Sequence, residues 1–442
     1  MSERGVVAAS AAAGEGEVTP LRRVVMASMI GTTIEWYDFF LYNSAAALVF
    51  NRLFFPQFDP LTGTLLAFAT YALGFVARPL GGIVFGHFGD RVGRKRLLML
   101  SLILMGVATV LIGLLPTYEA IGIWAPIALI VLRLAQGFAV GGEWGGAVLM
   151  AAEHGDAGRR GFWASWPQAG VAAGFLLSAG MLALVNDALS GADFLAWGWR
   201  LPFLASIVLV LVGWYIRNRV SESRLFTAAA EEAEAPPKLP VADVFRERPM
   251  AVLLGAGLRL GENISYYILT AFSLTFLVEI STETRALALN ALLIGAAVQF
   301  FAIPMFAALS DRIGRRPVYA FGGLGLAAWS FALFPLLASG DAFLIVLAIV
   351  VGLVLHGAMY GPQAAMIAEL FPTRIRYSGA SIAYQLTAIF AGSLAPIVAL
   401  WLYREYESAM PVAIYVAVAC AVSGVSALLA RETKGIELAE IR

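Results

Sequence analysis

The sequence predicts an all-α membrane protein of twelve transmembrane helices in two pseudo-symmetric six-helix bundles. Three observations carry this: 60% hydrophobic against 14% charged residues, twelve long apolar runs, and a charged loop motif that occurs once in each half of the 442-residue chain. So few charges leave an ordinary water-soluble surface uncovered. In lipid every backbone polar group must be bonded internally, which selects helices of about 20 residues. The 30 basic and 30 acidic residues balance, so no global charge favours nucleic acid. Cys420 is the single cysteine, and no internal disulfide staples the fold. Residues 1–20 are small and polar and read as a tail rather than a signal peptide.

The first run, 24–50, follows Arg23 and stops at Asn51-Arg52; the second, 63–87, follows Pro60 and leads into Asp90. The third, 97–115, starts after Arg96 and ends at Pro116, and the fourth, 122–150, lies between Glu119 and Glu153. The fifth, 161–186, runs from Arg160 to Asp187; the sixth, 200–217, reaches Asn218. Beyond the Ala-, Glu- and Pro-rich stretch 228–240, runs recur at 249–279, 286–309, 317–338, 342–369, 377–403 and 410–430. The chain therefore divides into a tail (1–21), a first bundle (22–217), a linker (218–248), a second bundle (249–430) and a second tail (431–442). Placing Arg91, Arg94, Lys95, Arg96, Arg159, Arg160, Arg312, Arg315, Arg316, Arg374 and Arg376 on one side leaves chiefly Arg52, Arg285 and Arg404 on the other. The positive-inside rule then puts both termini and the linker in the cytoplasm.

The halves echo one another. GHFGDRVGRKR (86–96) has its counterpart in AALSDRIGRRP (307–317), and Asp90 and Asp311 are separated by half the chain. Glu153 precedes Arg160 by seven residues, as Glu369 precedes Arg376. The loop pattern at Gly86, Asp90, Arg91, Gly93, Arg94 and Lys95 resembles the signature loop of the major facilitator superfamily. Its second copy keeps Asp311, Arg312, Gly314, Arg315 and Arg316 but has Ala307 in place of Gly86, an exchange expected to loosen packing. TTIEWYDFFLY (32–42), GFVARPLGG (74–82), RLAQGFAVGGEWGGA (133–147), RRGFWASWPQAG (159–170), GWRLPF (198–203) and GPQAAMIAELFPTRIRYSGASIAYQL (361–386) look like the metabolite:proton symporter family within it. That resemblance spans nearly all of 22–430. It implies import of a carboxylate such as shikimate or oxoglutarate, or of proline or betaines.

The loop motif needs glycines for close backbone approach, an acid to accept hydrogen bonds and arginines to bridge helix ends. Its repetition favours a gate of Gly86, Asp90, Arg91, Gly93, Arg94, Asp311, Arg312 and Arg315, with Glu153 and Glu369 as partners and Arg376 beside them, over a merely topogenic basic loop. Ionisable residues inside the spans are costly in hydrocarbon and mark cavities or partners. Glu35 and Asp38 share a helix face; Arg78 lies near the inner end of the second helix; Arg133 and Glu143 sit on the fourth; Arg259 and Glu262 share a face of the seventh. At 1.5 Å rise per residue, Arg133 and Arg259 each lie about 15 Å from a helix end, near the midplane, where two cations suit an anionic solute. The alternative is that neighbouring acids neutralise them and the pairs only hold helices together. His356, Tyr360 and Gln363 follow i, i+4, i+7 and form one polar stripe. Tyr37, Gln168, Asn263, Tyr266, Tyr267, Tyr384 and Gln385 are weaker candidates for solute contact, each equally explained by packing. Gly170 and Gly174 fit close helix packing.

No phosphate loop, H-E-x-x-H, paired-cysteine spacing or G-x-S-x-G occurs, so the sequence points to no enzyme, cofactor or metal. The expected function is secondary, proton-coupled uptake of a small carboxylate or zwitterion by a monomer in a bacterial inner membrane, with Asp38, Glu35 or His356 carrying the proton. An efflux antiporter of the same fold is the alternative, disfavoured by fixed cations in the cavity.

Overall fold

The computed structural model describes residues 20–58, 60–156, 158–219, 240–277, 281 and 285–441. Most of the first tail and of the linker lies outside the described residues.

Each expected run is a helix. The first half comprises α1 (Leu21–Ala45, prolonged by a π-helical turn Ala46–Phe50), α2 (Pro60–Val92), α3 (Arg94–Leu114), α4 (Trp124–His154), α5 (Arg160–Ala188) and α6 (Arg200–Asn218). The second comprises α7 (Pro249–Tyr267, prolonged by a π turn Ile268–Phe272), α8 (Arg285–Ile313), α9 (Arg315–Leu337), α10 (Ala342–Ala368), α11 (Thr373–Tyr406) and α12 (Met410–Leu429). α11 is α-helical over Arg376–Gln385 and Ala395–Tyr406, with a π turn at Ala388–Ser393 between them. A short helix, Pro240–Glu247, precedes α7.

Nine helices among the described residues are long and apolar enough to cross a membrane. α1, α2 and α7 fall outside that group; Glu35 and Asp38 dilute the apolar character of α1, and Arg259, Glu262 and Asn263 that of α7. Apolar side chains such as Leu80, Leu100, Phe301, Val418 and Leu429 point outward over much of the surface, as a lipid-facing protein requires.

Packing follows the internal repeat. α2 packs on α4 and α1 on α5 in the first half, as α8 packs on α10 and α7 on α11 in the second. The halves meet along α2–α11 and along α5–α8, equivalent pairs in the two repeats. Gly170 and Gly174 face α1, where a Cβ at Gly174 would lie 2.7 Å from Trp36 Cβ. Gly93 and Gly314 link α2 to α3 and α8 to α9 with φ of 107° and 108°, a conformation open to glycine and strained for other residues. Ala307 does not loosen the second copy: it is fully buried, and Gly161 of α5 supplies the space on the opposite helix.

Candidate solute cavity and interlocked gate

A small cavity lies between the halves. Arg259, Glu262, Asn263 and Tyr266 of α7, Gln299 and Ile303 of α8, and His356 and Tyr360 of α10 line it from the second half; Trp36 of α1 and Val171 of α5 close it from the first. Glu262 is its hub. One carboxylate oxygen pairs with Arg259 and also accepts from Gln363 Nε2 at 3.3 Å; the other lies 2.9 Å from His356 Nε2. Gln299 Nε2 is 2.8 Å from His356 Nδ1. An amide N–H donated to Nδ1 leaves the imidazole proton on Nε2, directed at Glu262. The Arg259 guanidinium also lies 3.7 Å over the Tyr384 ring.

A second cavity opens within the first half, lined by Glu35, Asp38 and Phe39 of α1, Gly74 and Arg78 of α2, Met105 of α3, and Arg133, Gln136, Gly137 and Val140 of α4. A hydrogen-bond chain runs through its wall. Arg133 Nη1 donates to Gln136 Oε1 at 3.2 Å, Gln136 Nε2 to Thr109 Oγ1 at 2.7 Å, and Thr109 Oγ1 to Asp38 Oδ2 at 2.7 Å. The other Asp38 oxygen is buried without a hydrogen bond among the described residues. Arg133 also lies 4.3 Å over the Tyr42 ring. The structure thus puts Arg133 and Arg259, expected to serve one site, in different cavities. Arg78 is deeper than expected, because α2 continues to Val92.

At the end carrying the two signature loops, the halves interlock with two-fold regularity. Asp90 of α2 accepts from the Tyr377 and Ser378 N–H groups at 3.1 and 2.8 Å, capping the start of α11 in the other half. Asp311 of α8 accepts from Gly161 and Phe162 at 2.9 and 2.8 Å, capping α5 in return. Glu153 pairs with Arg94 of its own half and with Arg376 across the divide at 3.0 Å. Glu369 pairs with Arg315 at 3.5 Å and with Arg160 across the divide at 2.7 Å. All six of these ion-pair side chains are at most 1% exposed. Gly86 and Gly89 let α11 approach, since a Cβ on Gly89 would fall 2.0 Å from the Tyr377 ring. The chain after α12 completes the layer: Ile436 and Leu438 carbonyls accept from Arg160 and Arg376 at 3.0 and 2.9 Å, and the Glu432 carboxylate accepts from Arg315 and Arg316 N–H at 3.0 and 3.1 Å. At the opposite end Phe75 meets Tyr267 edge-on with centroids 5.8 Å apart, and Gly392 packs under Phe75. The halves therefore touch on both sides of the cavities.

Several expected site residues lie elsewhere. Tyr37 is turned away from both cavities and donates to Pro202 O of α6 at 2.8 Å, since neighbours on a helix point about 100° apart. Gln168 joins Trp144 Nε1 to the Tyr360 carbonyl, and Gln385 donates to Gly141 O at 3.2 Å, so both tie the halves together. Tyr384 stacks on Trp144 at 3.6 Å, and Gln363 stands behind Glu262. Arg91 and Arg312 stay outside the interlock, one position past each aspartate and turned to the exposed surface; Arg91 donates to His87. Glu143, weighed as a partner for the midplane arginines, pairs instead with Arg217. Arg217, Gln299, Gln136, Thr109 and Glu432 were not singled out by sequence; a lone amide such as Gln299 in an apolar run was the available signal.

The chain matches the sugar (and other) transporter family over residues 24–238 and 227–442. It is 43% identical to the shikimate transporter of Escherichia coli over 93% of this chain and 95% of that one. It is 35% identical to a glycine betaine/proline/ectoine/pipecolic acid transporter of Dickeya dadantii, covering 93% and 84% of the two chains. Among solved structures it resembles the proton:xylose symporter XylE with bound 6-bromo-6-deoxy-D-glucose, at a TM-score of 0.77, 17% identity and 95% and 98% coverage. The duplicated bundles, the interlocked loops and these relatives together identify the protein as a member of the sugar (and other) transporter family of the major facilitator superfamily.

Proposed function

We propose that this transporter imports a small carboxylate or zwitterion together with a proton, its bundles 22–217 and 249–430 rocking around the central cavity. The observation that carries this reading is a cavity at the boundary between the halves lined by fixed charge, with Arg259, Glu262, Asn263, Tyr266, His356 and Tyr360 on one wall. Relatives that carry shikimate or betaines and proline support the solute class. Asp38 is the proton carrier in this reading: one of its oxygens is free of hydrogen bonds among the described residues, and Arg133 acts on it through Gln136 and Thr109. Glu35 and His356 stand second. Asp90, Asp311, Glu153, Glu369 and their arginines form the cytoplasmic gate, which opens to release solute and proton. Both termini lie in the cytoplasm, the protein sits in a bacterial inner membrane, and one chain suffices for transport.

Proteoliposomes test it directly. An imposed inward proton gradient should drive accumulation of labelled shikimate or glycine betaine above equilibration, and a protonophore should abolish it. Loss of preloaded solute upon the same gradient would favour an efflux antiporter instead.

A further inference from the structure

We infer that the solute's carboxylate docks on Arg78, so that anion and proton enter one cavity of the first half; this rests on the anionic-solute reading above. Arg78 is only 5% exposed and lines the cavity that holds Asp38 and Glu35. Its guanidinium lies 4.4 Å from the Phe75 ring centre, 4.7 Å from Phe39 and 5.9 Å from Trp36. Aromatic faces offset part of its charge but engage none of its five N–H donors in conventional hydrogen bonds. Among the described residues it makes no ion pair or hydrogen bond. The neighbouring arginines are engaged: Arg217 by Glu143, Arg259 by Glu262, and Arg133 by Gln136. Glu35 acts on Arg78 by charge alone, so the N–H donors of this buried guanidinium stay unengaged, and its planar fork matches a carboxylate. Trp36, the ring beside it, is also a wall of the central cavity, so a solute held there can extend its carboxylate to Arg78.

Charge balance sets the coupling. The buried ionisable groups of the spans include the acids Glu35, Asp38, Glu143 and Glu262 and the bases Arg78, Arg133, Arg217 and Arg259. An added carboxylate brings one further negative charge next to Asp38 and Glu35. One proton on Asp38 removes it. The groups facing Asp38 are Thr109 and Met105 of α3, Arg133 and Gln136 of α4, Arg78 of α2 and Glu35 of its own helix. None other than Glu35 competes for that proton. A monocarboxylate therefore travels with one proton, and its affinity rises as pH falls.

Binding to the full chain in nanodiscs tests this, with shikimate and its uncharged methyl ester as probes. The parent should prefer shikimate. Arg78→Gln should lose about tenfold or more of shikimate affinity with little change for the ester, and Arg78→Lys should recover part of it. An Arg78→Gln protein with the parent's preference, or one weakened equally for both probes, would overturn the assignment. So would two protons per shikimate measured from reversal potentials. A parent that binds neither shikimate nor glycine betaine would instead remove the solute reading itself.

Discussion

Arg217 shows what a single residue near a helix end can do. Its guanidinium passes α1 at Gly31, where a Cβ would lie 1.7 Å from it, and pairs with Glu143, which also accepts from Ser101 Oγ at 2.7 Å. Removing one partner of such a buried pair strands the other. Arg217→Met is expected to cost about 3–5 kcal/mol, and Arg217→Met with Glu143→Gln should recover much of it; thermal unfolding of the purified variants measures both. Gly31→Leu should act in the same direction by displacing the guanidinium. At Asp38 the expected effect concerns coupling rather than stability. Asp38→Asn should exchange labelled solute across proteoliposomes yet fail to accumulate it under a proton gradient. Accumulation like the parent's by both Asp38→Asn and Glu35→Gln would exclude the first helix as proton carrier and leave His356 next.

At the level of elements, three helix starts that lack a side-chain cap of their own are capped from elsewhere in the fold. α5, α11 and α9 start at positions with no side-chain cap, and Asp311, Asp90 and Glu432 reach in from other elements to accept their first N–H groups. Helix starts favour negative charge, and losing such a cap costs about 1 kcal/mol. For Asp90 and Asp311 the cap exists only while the halves touch. Asp90→Asn should therefore leave solute affinity in place and slow turnover by shifting the gate equilibrium about tenfold; lost affinity in a folded protein would remove the gating role. Glu432 has a pH signature. Burial alone would raise its pKa, but N–H donors from Arg315, Arg316, Lys434 and Thr433 hold the carboxyl below the ordinary glutamate range. Its contribution is thus present above the ordinary glutamate pKa of about 4.3 and lost as pH falls through the lower folded value. Glu432→Gln should lower the melting temperature at neutral pH, and the gap to the parent should close in acid.

For the whole molecule, sidedness is the property to establish. In a Cys420→Ala background, Arg246→Cys on the short helix before α7 should resist membrane-impermeant thiol reagents in intact cells, while Glu405→Cys at the far end of α11 should react. The reverse pattern would invert the topology. The halves touch on both sides of the cavities, through paired charges at one end and through Phe75, Tyr267 and Gly392 towards the other. The interlock gathers Asp90, Glu153, Arg160, Asp311, Glu369 and Arg376 from six helices or their ends, so opening it breaks several charge-assisted bonds together. That favours discrete closed and open states over gradual deformation.

The twelve helices and their pairing into repeats were legible in the sequence, because the bilayer forces long apolar runs and the repeated D-R-x-G-R loop marks the symmetry axis. Glu153 and Glu369 stood out by their repeat, each seven residues before an arginine, but each pairs with the arginine that follows the other glutamate, which only the packing of the halves decides. Side-chain direction was not. That Tyr37 turns to α6 while Trp36 faces the cavity, that Glu143 takes Arg217 rather than Arg133, and that Arg133 and Arg259 face separate cavities depend on helix rotation and crossing. One residue's shift along a helix turns a side chain by about 100°, and only packing against neighbouring helices fixes that angle.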